Sequence, residues 1–200
     1  MSEPNQPQVN QAPGIPPSRS RRRFLGAGAT VSPAILTLVS QPALGVTCFT
    51  PSRSLSRNTS VSQQGKYGEC LNPESPGNYM ARASGQPGNS WTVTPSTTPF
   101  HPTFSGSQFM VPKTGGGYRS LTMMEVLQDQ NGKVPFFILA AYLNVLGNNG
   151  AVIPANVLTP SAVLTIWDEW STKTYYEPMA GIKWYGEDIK NYFFSNGIIK

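Results

Sequence analysis

The sequence predicts a mainly α-helical fold: a small helical domain with a loop-rich N-terminal half, a disulfide in that half and, as a further element, one short β-hairpin. From Leu121 onward, apolar residues recur at helical spacing between residues that typically start and stop helices. Residues 46–117 are instead rich in Ser, Thr, Pro and Gly and hold too few apolar side chains for a core of their own. We therefore expect residues 46–200 to form a single domain with one hydrophobic core.

Residues 1–45 have the pattern of an export signal with a disordered leader. Over residues 1–18, proline is spread among polar residues, a composition that cannot bury enough apolar surface to offset the entropy of ordering. The residues typical of a bacterial twin-arginine signal come next: Ser20, Arg21, Arg22, Phe24 and Leu25. Small residues at Ala43 and Gly45 predict cleavage before Val46. The sequence therefore predicts export by the twin-arginine translocase to the periplasm or the extracellular space.

The apolar run behind the arginines does not have the character of a permanent anchor. It extends from Phe24 to Val39 and is interrupted by glycine, threonine, serine and proline. A stable span needs about 20 predominantly apolar residues. We expect no stable membrane span after cleavage.

An alternative interpretation takes residues 19–23 as a basic patch for nucleic acid. Such a patch requires neither the apolar run nor the small residues that follow it. The formal charge of the chain is +5, of which residues 1–45 carry +3, so the remainder carries only +2. We therefore expect no nucleic-acid partner.

The two cysteines, Cys48 and Cys70, both follow the predicted cleavage site. In an oxidising compartment such a pair predicts a disulfide, which would stabilise the fold by roughly 3 kcal/mol in the chain-entropy model. The alternatives are two free thiols or one ligand of a metal site. No histidine lies at a zinc or haem spacing from either cysteine.

The first predicted helix of the domain starts at Ser75 and Pro76. Ser75 can accept hydrogen bonds from free backbone N–H groups, Pro76 suits the first helical position, and Gly85 would end the helix. Further along, residues 109–111 and 118–120 flank a Lys-Thr-Gly-Gly-Gly turn, and this arrangement predicts the short hairpin.

The centre of the core is predicted in residues 134–146, which are apolar on nearly every face and are followed by Gly147. A helix of that length rises only about 20 Å, which is too short to span a membrane. The helix before it starts at a capping box formed by Thr122 and Glu125 and would end at Asn131-Gly132.

Two amphipathic helices complete the predicted domain. One starts at Thr159-Pro160 and carries an apolar stripe made of Val163, Ile166, Trp167 and Trp170. The other starts at about Gly186, ends at Gly197 and faces the core through Ile189, Tyr192 and Phe193.

Several short motifs occur in a fixed order along the domain. Cys70 is followed by Ser-Pro-Gly-Asn-Tyr at 75–79, by three aromatic residues and by two helix motifs at 120–125 and 140–144; the aromatic residues are Trp91, Phe100 and Phe104. In this order the motifs resemble an uncharacterised family of small bacterial proteins exported by the twin-arginine route, which share a Cys-flanked Ser-Pro-Gly-x-[Tyr/Trp] element. The resemblance implies a fold and a compartment and implies no reaction.

His101 is the only histidine of the chain and lies on a predicted loop. A Ser-His-Asp triad or a Cys-His dyad would have to use it, and no nucleophile motif surrounds it. The carboxylate pairs Asp168-Glu169 and Glu187-Asp188 are adjacent in sequence and do not face each other on a helix, so solvated helix faces are the better interpretation. We assign no catalytic, cofactor-binding or metal-binding residue. A hydrolase or a metal/redox accessory protein that uses His101 is the alternative function.

Three aromatic residues lie in turn-rich sequence near the C-terminus: Tyr175, Tyr176 and Trp184. Because aromatic side chains dominate the hot spots of interfaces, these residues are the predicted interaction surface, with an envelope protein or a glycan as partner. The favoured function is that of a non-enzymatic structural or interaction protein of the cell envelope or exterior.

Overall fold

The computed structural model describes residues 46–56, 67–82 and 91–200. The predicted export signal and cleavage site lie outside these ranges, and so does Gly85, the predicted end of the first helix. The described residues include six α-helices: α1 (Pro51–Ser56), α2 (Pro76–Arg82), α3 (Met123–Asp129), α4 (Val134–Val145), α5 (Pro160–Lys173) and α6 (Gly186–Ser195).

Short strands accompany the helices and pair as three two-stranded antiparallel sheets. They are β1 (Val46–Phe49) with β2 (Tyr67–Cys70), β3 (Met110–Pro112) with β4 (Tyr118–Ser120), and β5 (Tyr176–Met179) with β6 (Ile182–Trp184). The described chain is therefore a mixed α and β fold, and the mainly α-helical prediction is wrong. Only the β3–β4 hairpin is predicted by the sequence.

The strands of the two unexpected sheets are too short to be predicted from the sequence pattern. β1 and β2 have four residues each, and their ladder places Val46 opposite Cys70 and Cys48 opposite Gly68. In β5–β6, Met179 is opposite Ile182 across a turn at Gly181 with φ of +80°. A strand of three or four residues offers at most two alternations of polar and apolar side chains. Loop sequences contain alternations of that length as often as strands do.

The predicted disulfide is confirmed. Cys48 and Cys70 are bonded across the β1–β2 sheet, with their Cα atoms 5.9 Å apart. Both side chains are buried in the hydrophobic core. The cross-link therefore ties the first two strands of the described chain together at the surface of the core.

Helix α4 is the centre of the core, as the sequence predicts. Every residue from Pro135 to Asn144 is buried, and Leu139 and Leu143 have no solvent exposure. The helices α5 and α6 pack against α4 and bury the apolar stripes Val163, Ile166 and Trp167, and Ile189, Tyr192 and Phe193. Among the described residues, no helix reaches the length and apolar character that crossing a membrane requires.

The predicted capping box at the start of α3 is confirmed. Thr122 Oγ1 accepts a hydrogen bond from the Glu125 backbone N–H, and the Glu125 carboxylate accepts one from the Thr122 backbone N–H at 2.7 Å. Arg119 of β4 donates to both oxygens of the same carboxylate, at 2.7 and 2.9 Å. The hydrogen bonds from Arg119 and then from Thr122 lower the pKa of Glu125 to about 2. The cap therefore stays ionised far into the acid range.

Buried asparagine side chains hold irregular backbone against the helices. They are Asn144, Asn148 and Asn196. Asn148 Oδ1 accepts hydrogen bonds from the backbone N–H groups of Val93 and Thr94, at 2.9 and 3.0 Å. Asn196 Oδ1 accepts one from the Phe49 N–H at 3.1 Å. A buried amide can satisfy backbone groups that have no partner in a helix or sheet, and these bonds add to the packing of Tyr79, Trp91, Phe100 and Phe104 that holds the loop-rich half on the core.

Candidate functional site

A cleft of about 450 Å³ opens where the first turn of α4, the last turns of α5 and the first turn of α6 meet. Its volume is within the range of about 300–1,000 Å³ that is usual for small-molecule sites. The residues at its wall come from four parts of the chain: Gln108 and Phe109; Gln130, Gly132, Lys133, Val134, Pro135 and Phe137; Trp167, Trp170, Ser171 and Thr174; Glu187 and Lys190.

The floor of the cleft is aromatic and apolar. Trp170, Phe109 and Val134 are partly buried there, while Phe137 is 8% exposed and Trp167 is 1% exposed. The other two tryptophans of the chain, Trp91 and Trp184, are buried elsewhere in the core. Trp170 is therefore the least buried of the four tryptophans, and it lines the cleft.

The rim of the cleft carries amide and hydroxyl side chains. They are Gln108, Gln130, Ser171 and Thr174. Glu187 and Lys190 lie on the α6 side, where Lys190 Nζ is 3.3 Å from Glu187 Oε2 and 5.4 Å from the centre of the Phe137 ring. This ion pair supplies both charges on that side of the rim. An apolar floor with a few converging polar groups is the usual composition of a binding pocket.

Local sequence places the helix ends at the cleft. Pro135 occupies the first turn of α4, where it costs no hydrogen bond, and Lys133 is the residue that precedes the helix. Thr174 ends α5 in a left-handed conformation with φ of +68°, so the chain turns away after Lys173. Gly186 begins α6 against the Val134 side chain, and a Cβ at that position would collide with it.

The loop that supplies Gln108 and Phe109 is held on α5 by aromatic packing. Phe100 stacks on Phe104 with ring centres 4.2 Å apart, and Trp167 packs edge-on against both rings. The Trp167 indole N–H donates to the Ser105 carbonyl at 3.0 Å. After Phe109 the chain enters β3, and the Phe109 carbonyl accepts a hydrogen bond from the Leu121 N–H at 2.8 Å, so this wall of the cleft is held on both sides.

His101 lies on the same loop and is engaged with backbone. Its two ring nitrogens face the carbonyl oxygens of Phe104 and Gln108, and its backbone N–H donates to Ser120 Oγ at 2.9 Å. Ser105 Oγ instead donates to the Asp168 carboxylate. In a Ser-His-Asp triad the histidine lies between the other two side chains. These three residues are not arranged in that way.

The carboxylate pairs are occupied in capping and ion pairing. Glu169 accepts a hydrogen bond from the Glu177 N–H at 3.0 Å and lies 3.9 Å from Lys173. Asp188 accepts one from the Tyr185 N–H at 3.0 Å and so caps α6. Within the described ranges, no group of three or more His, Cys, Asp or Glu side chains is arranged to hold a metal ion.

The three aromatics of the predicted interaction surface are not presented together. Trp184 is 6% exposed and belongs to the core, and Tyr176 packs on that core with its pKa raised by burial. Tyr175 is partly buried, with the Lys183 ammonium 4.4 Å from its ring centre. The aromatic side chains at and beside the β5–β6 sheet therefore mostly pack within the chain.

The motifs that carry the family resemblance meet in the core. Tyr79 of the Ser-Pro-Gly element donates its hydroxyl to Asn144 Oδ1 at 2.7 Å. The Trp91 indole N–H donates to the Tyr79 carbonyl at 3.0 Å, and the two rings are 5.5 Å apart. These residues are buried, so their role in the described chain is to hold the fold.

Sequence reasoning missed the polar rim of the cleft. Gln108, Gln130 and Thr174 are single polar residues in turns, and nothing in their spacing relates one to another. Trp170 had a signal, because it stands at the end of the apolar stripe of α5 in the sequence, and the structure shows that it is less buried than Trp167. Comparison of the chain with protein-family models, curated proteins and solved structures gives no match.

Proposed function

We propose that this chain is an exported bacterial interaction protein of the cell envelope or exterior, and that it acts by binding a partner in the cleft beside Trp170. The cleft is the observation that carries the proposal. It combines an aromatic floor with a polar rim. The buried motif residues, the carboxylate pairs and His101 are all engaged in contacts within the chain, so binding is the role that the exposed chemistry supports.

Export is supported by the leader and by the disulfide. Residues 20–25 have the twin-arginine pattern, and small residues at 43 and 45 follow the apolar run. A buried disulfide between Cys48 and Cys70 fits an oxidising compartment, because cytosolic thiols are kept reduced. Membership in the family of twin-arginine-exported proteins is part of the same proposal and depends on the motif order.

Replacing Arg21 and Arg22 together with lysine is expected to abolish export. Lysine keeps the positive charge but not the planar guanidinium fork, so a pathway that recognises the arginine pair is blocked. The measurement is fractionation of cells that produce each form, followed by detection of the processed chain outside the cytoplasm. The matched control is Arg19→Lys with Arg23→Lys, which makes the same two replacements at the arginines that flank the pair and should leave export intact. Processed protein of the double Arg21/Arg22 variant in the exported fraction would refute the export assignment.

Binding in the cleft is tested by sedimentation with the isolated envelope of the producing bacterium. We expect the full chain to sediment with the envelope and Trp170→Ala to bind about tenfold or more weakly, because a central aromatic side chain usually contributes much of the binding energy. Tyr118→Ala is the control, since Tyr118 is 71% exposed on the β3–β4 hairpin and does not line the cleft. Unfolding curves of both variants show whether each is folded. Equal sedimentation of the three proteins, or none by the full chain, would contradict the role of the cleft.

A further inference from the structure

We propose that the partner bound in the cleft is a carbohydrate, a short stretch of an uncharged glycan chain. The inference depends on the proposed function, because it names the chemical class of the ligand for the same cleft. Three features of the wall carry it: the aromatic floor, the chemistry of the rim and the internal pairing of the charges on α6.

The floor offers aromatic rings that are tilted against one another, with an angle of 45° between Trp167 and Trp170. Trp170 is partly buried and lines the cleft together with Phe109 and Phe137. A pyranose ring has one face of C–H groups that covers an aromatic ring well, and its hydroxyls point outward around the edge. Tryptophan is suited to this because it combines a large apolar body with a rigid shape.

The rim supplies groups that both donate and accept hydrogen bonds. Gln108 and Gln130 each donate one side-chain N–H within the chain, to the Ser171 carbonyl at 3.4 Å and to the Asp129 carboxylate, which leaves the second N–H and the carbonyl oxygen of each amide. The Ser171 hydroxyl donates to the Asp168 carbonyl at 3.3 Å and can still accept, and Thr174 adds a second hydroxyl. Sugar hydroxyls likewise donate and accept. A lipid or another hydrocarbon ligand would strip water from these amides and return no hydrogen bond, which is costly.

The charges on α6 argue against a strongly anionic ligand. Lys190 Nζ is 3.3 Å from Glu187 Oε2 and lies over the Phe137 ring, so its charge is compensated by a carboxylate at the same wall. Lys133, which precedes α4, is the third charged residue of the lining, so a phosphate or an acidic polymer would meet the Glu187 carboxylate together with two ammonium groups. An uncharged polyhydroxylated ligand avoids that repulsion and can use both groups as hydrogen-bond partners.

A proline-rich peptide is the competing class of partner. Such peptides bind extended aromatic grooves as polyproline helices. The cleft here is half-open and has a volume of about 450 Å³ beside three helix ends, a size that fits one or two sugar rings better than an extended segment. A proline-rich peptide is therefore included as a second ligand in the test.

The test titrates the full chain with uncharged tetrasaccharides of N-acetylglucosamine and of glucose, and separately with a proline-rich peptide. Binding is followed by tryptophan fluorescence, in which Trp170 and the buried Trp167 beside it report on the cleft, whereas Trp91 and Trp184 are buried elsewhere. We expect saturable binding of at least one tetrasaccharide. Trp170→Ala should weaken it about tenfold or more, and Trp170→Phe should have a smaller effect because a ring remains. Calorimetry supplies affinities for the variants that lack the tryptophan.

Gln130→Ala tests the rim without touching the core. We expect it to weaken tetrasaccharide binding by about threefold to tenfold, the effect of losing one or two hydrogen bonds. Gln128→Ala is the matched control, an exposed glutamine two positions away that does not line the cleft. Saturable binding of the peptide and of neither sugar would overturn the carbohydrate assignment and leave the binding role of the cleft in place. The carbohydrate site would also be overturned if Trp170→Ala and Gln130→Ala bound the sugar as the unmodified chain does, or if no probe bound at all. In either case, loss of envelope sedimentation in Trp170→Ala would still uphold the proposed function.

Discussion

Asn144→Ala is expected to lower the free energy of unfolding by about 3–5 kcal/mol, although the residue has no role at the surface. Asn144 is fully buried in α4. Removal of its amide would leave several buried polar groups without a partner, and each such group costs about 1–3 kcal/mol. The measurement is chemical denaturation of the oxidised full chain, read as the change in the midpoint at constant slope.

The geometry around Asn144 accounts for the size of the effect. Its Oδ1 accepts hydrogen bonds from the Tyr79 hydroxyl at 2.7 Å and the Glu74 N–H at 3.0 Å. Its Nδ2 donates to the carbonyls of Glu74 and Ile198, at 2.9 and 2.8 Å. One side chain thus joins α4 to the segment before α2 and to the C-terminal residues. Burial raises the pKa of Tyr79 well above its usual value, so its hydroxyl remains a donor over the working pH range.

Two variants show whether the network is the cause. Tyr79→Phe removes a single hydrogen bond and should cost about 1 kcal/mol, since Asn144 Oδ1 keeps its bond from Glu74. Asn191→Ala changes an exposed asparagine on α6 and should lie within about 0.5 kcal/mol of the unmodified chain. A loss of less than about 1 kcal/mol in Asn144→Ala would mean that the amide is replaceable by water and that the network does not hold the fold.

Leu143→Ala and Leu139→Ala are each expected to cost about 2–5 kcal/mol. Both side chains have no solvent exposure, and α4 is covered on every face by other elements. Truncation removes apolar contacts and leaves a cavity that a densely packed core cannot fill completely. Because twin-arginine export carries folded proteins, we also expect less of each variant in the exported fraction. Denaturation midpoints and cell fractionation are the two measurements.

The control for these substitutions is Leu55→Ala on α1. Leu55 is 37% exposed, so the same truncation removes less buried surface and should cost well under the core variants. If Leu143→Ala and Leu55→Ala had similar midpoints, α4 would not be the centre of the core. If Leu143→Ala were destabilised and exported at the normal level, the coupling of folding to export would be wrong.

The sequence by itself determined the features that depend on neighbours within one or two helical turns. The Thr122–Glu125 capping box, the cap at Thr159 and the stop at Gly147 are interactions of residues three or four positions apart, and each is where the pattern predicts it. The apolar residues on every face of α4 likewise predicted that this helix is buried, without any knowledge of the elements that pack on it. The pairing of Cys48 with Cys70 was predicted from two cysteines in a chain expected to reach an oxidising compartment, where only one pair can form.

Only the tertiary structure decided the sheets, the asparagine contacts and the cleft. Strands such as β1 and β2 owe their existence to pairing with a distant segment, and four residues carry too little pattern to reveal it. Asn144 links three segments through hydrogen bonds to Glu74 and Ile198, which are far from it in the sequence. Its role is therefore visible only in the folded chain. The cleft joins Gln108, Trp170 and Lys190 from three separate parts of the chain. Local patterns record the hydrogen bonding and burial of one element, whereas a site is formed by the packing of several elements, which no single segment encodes.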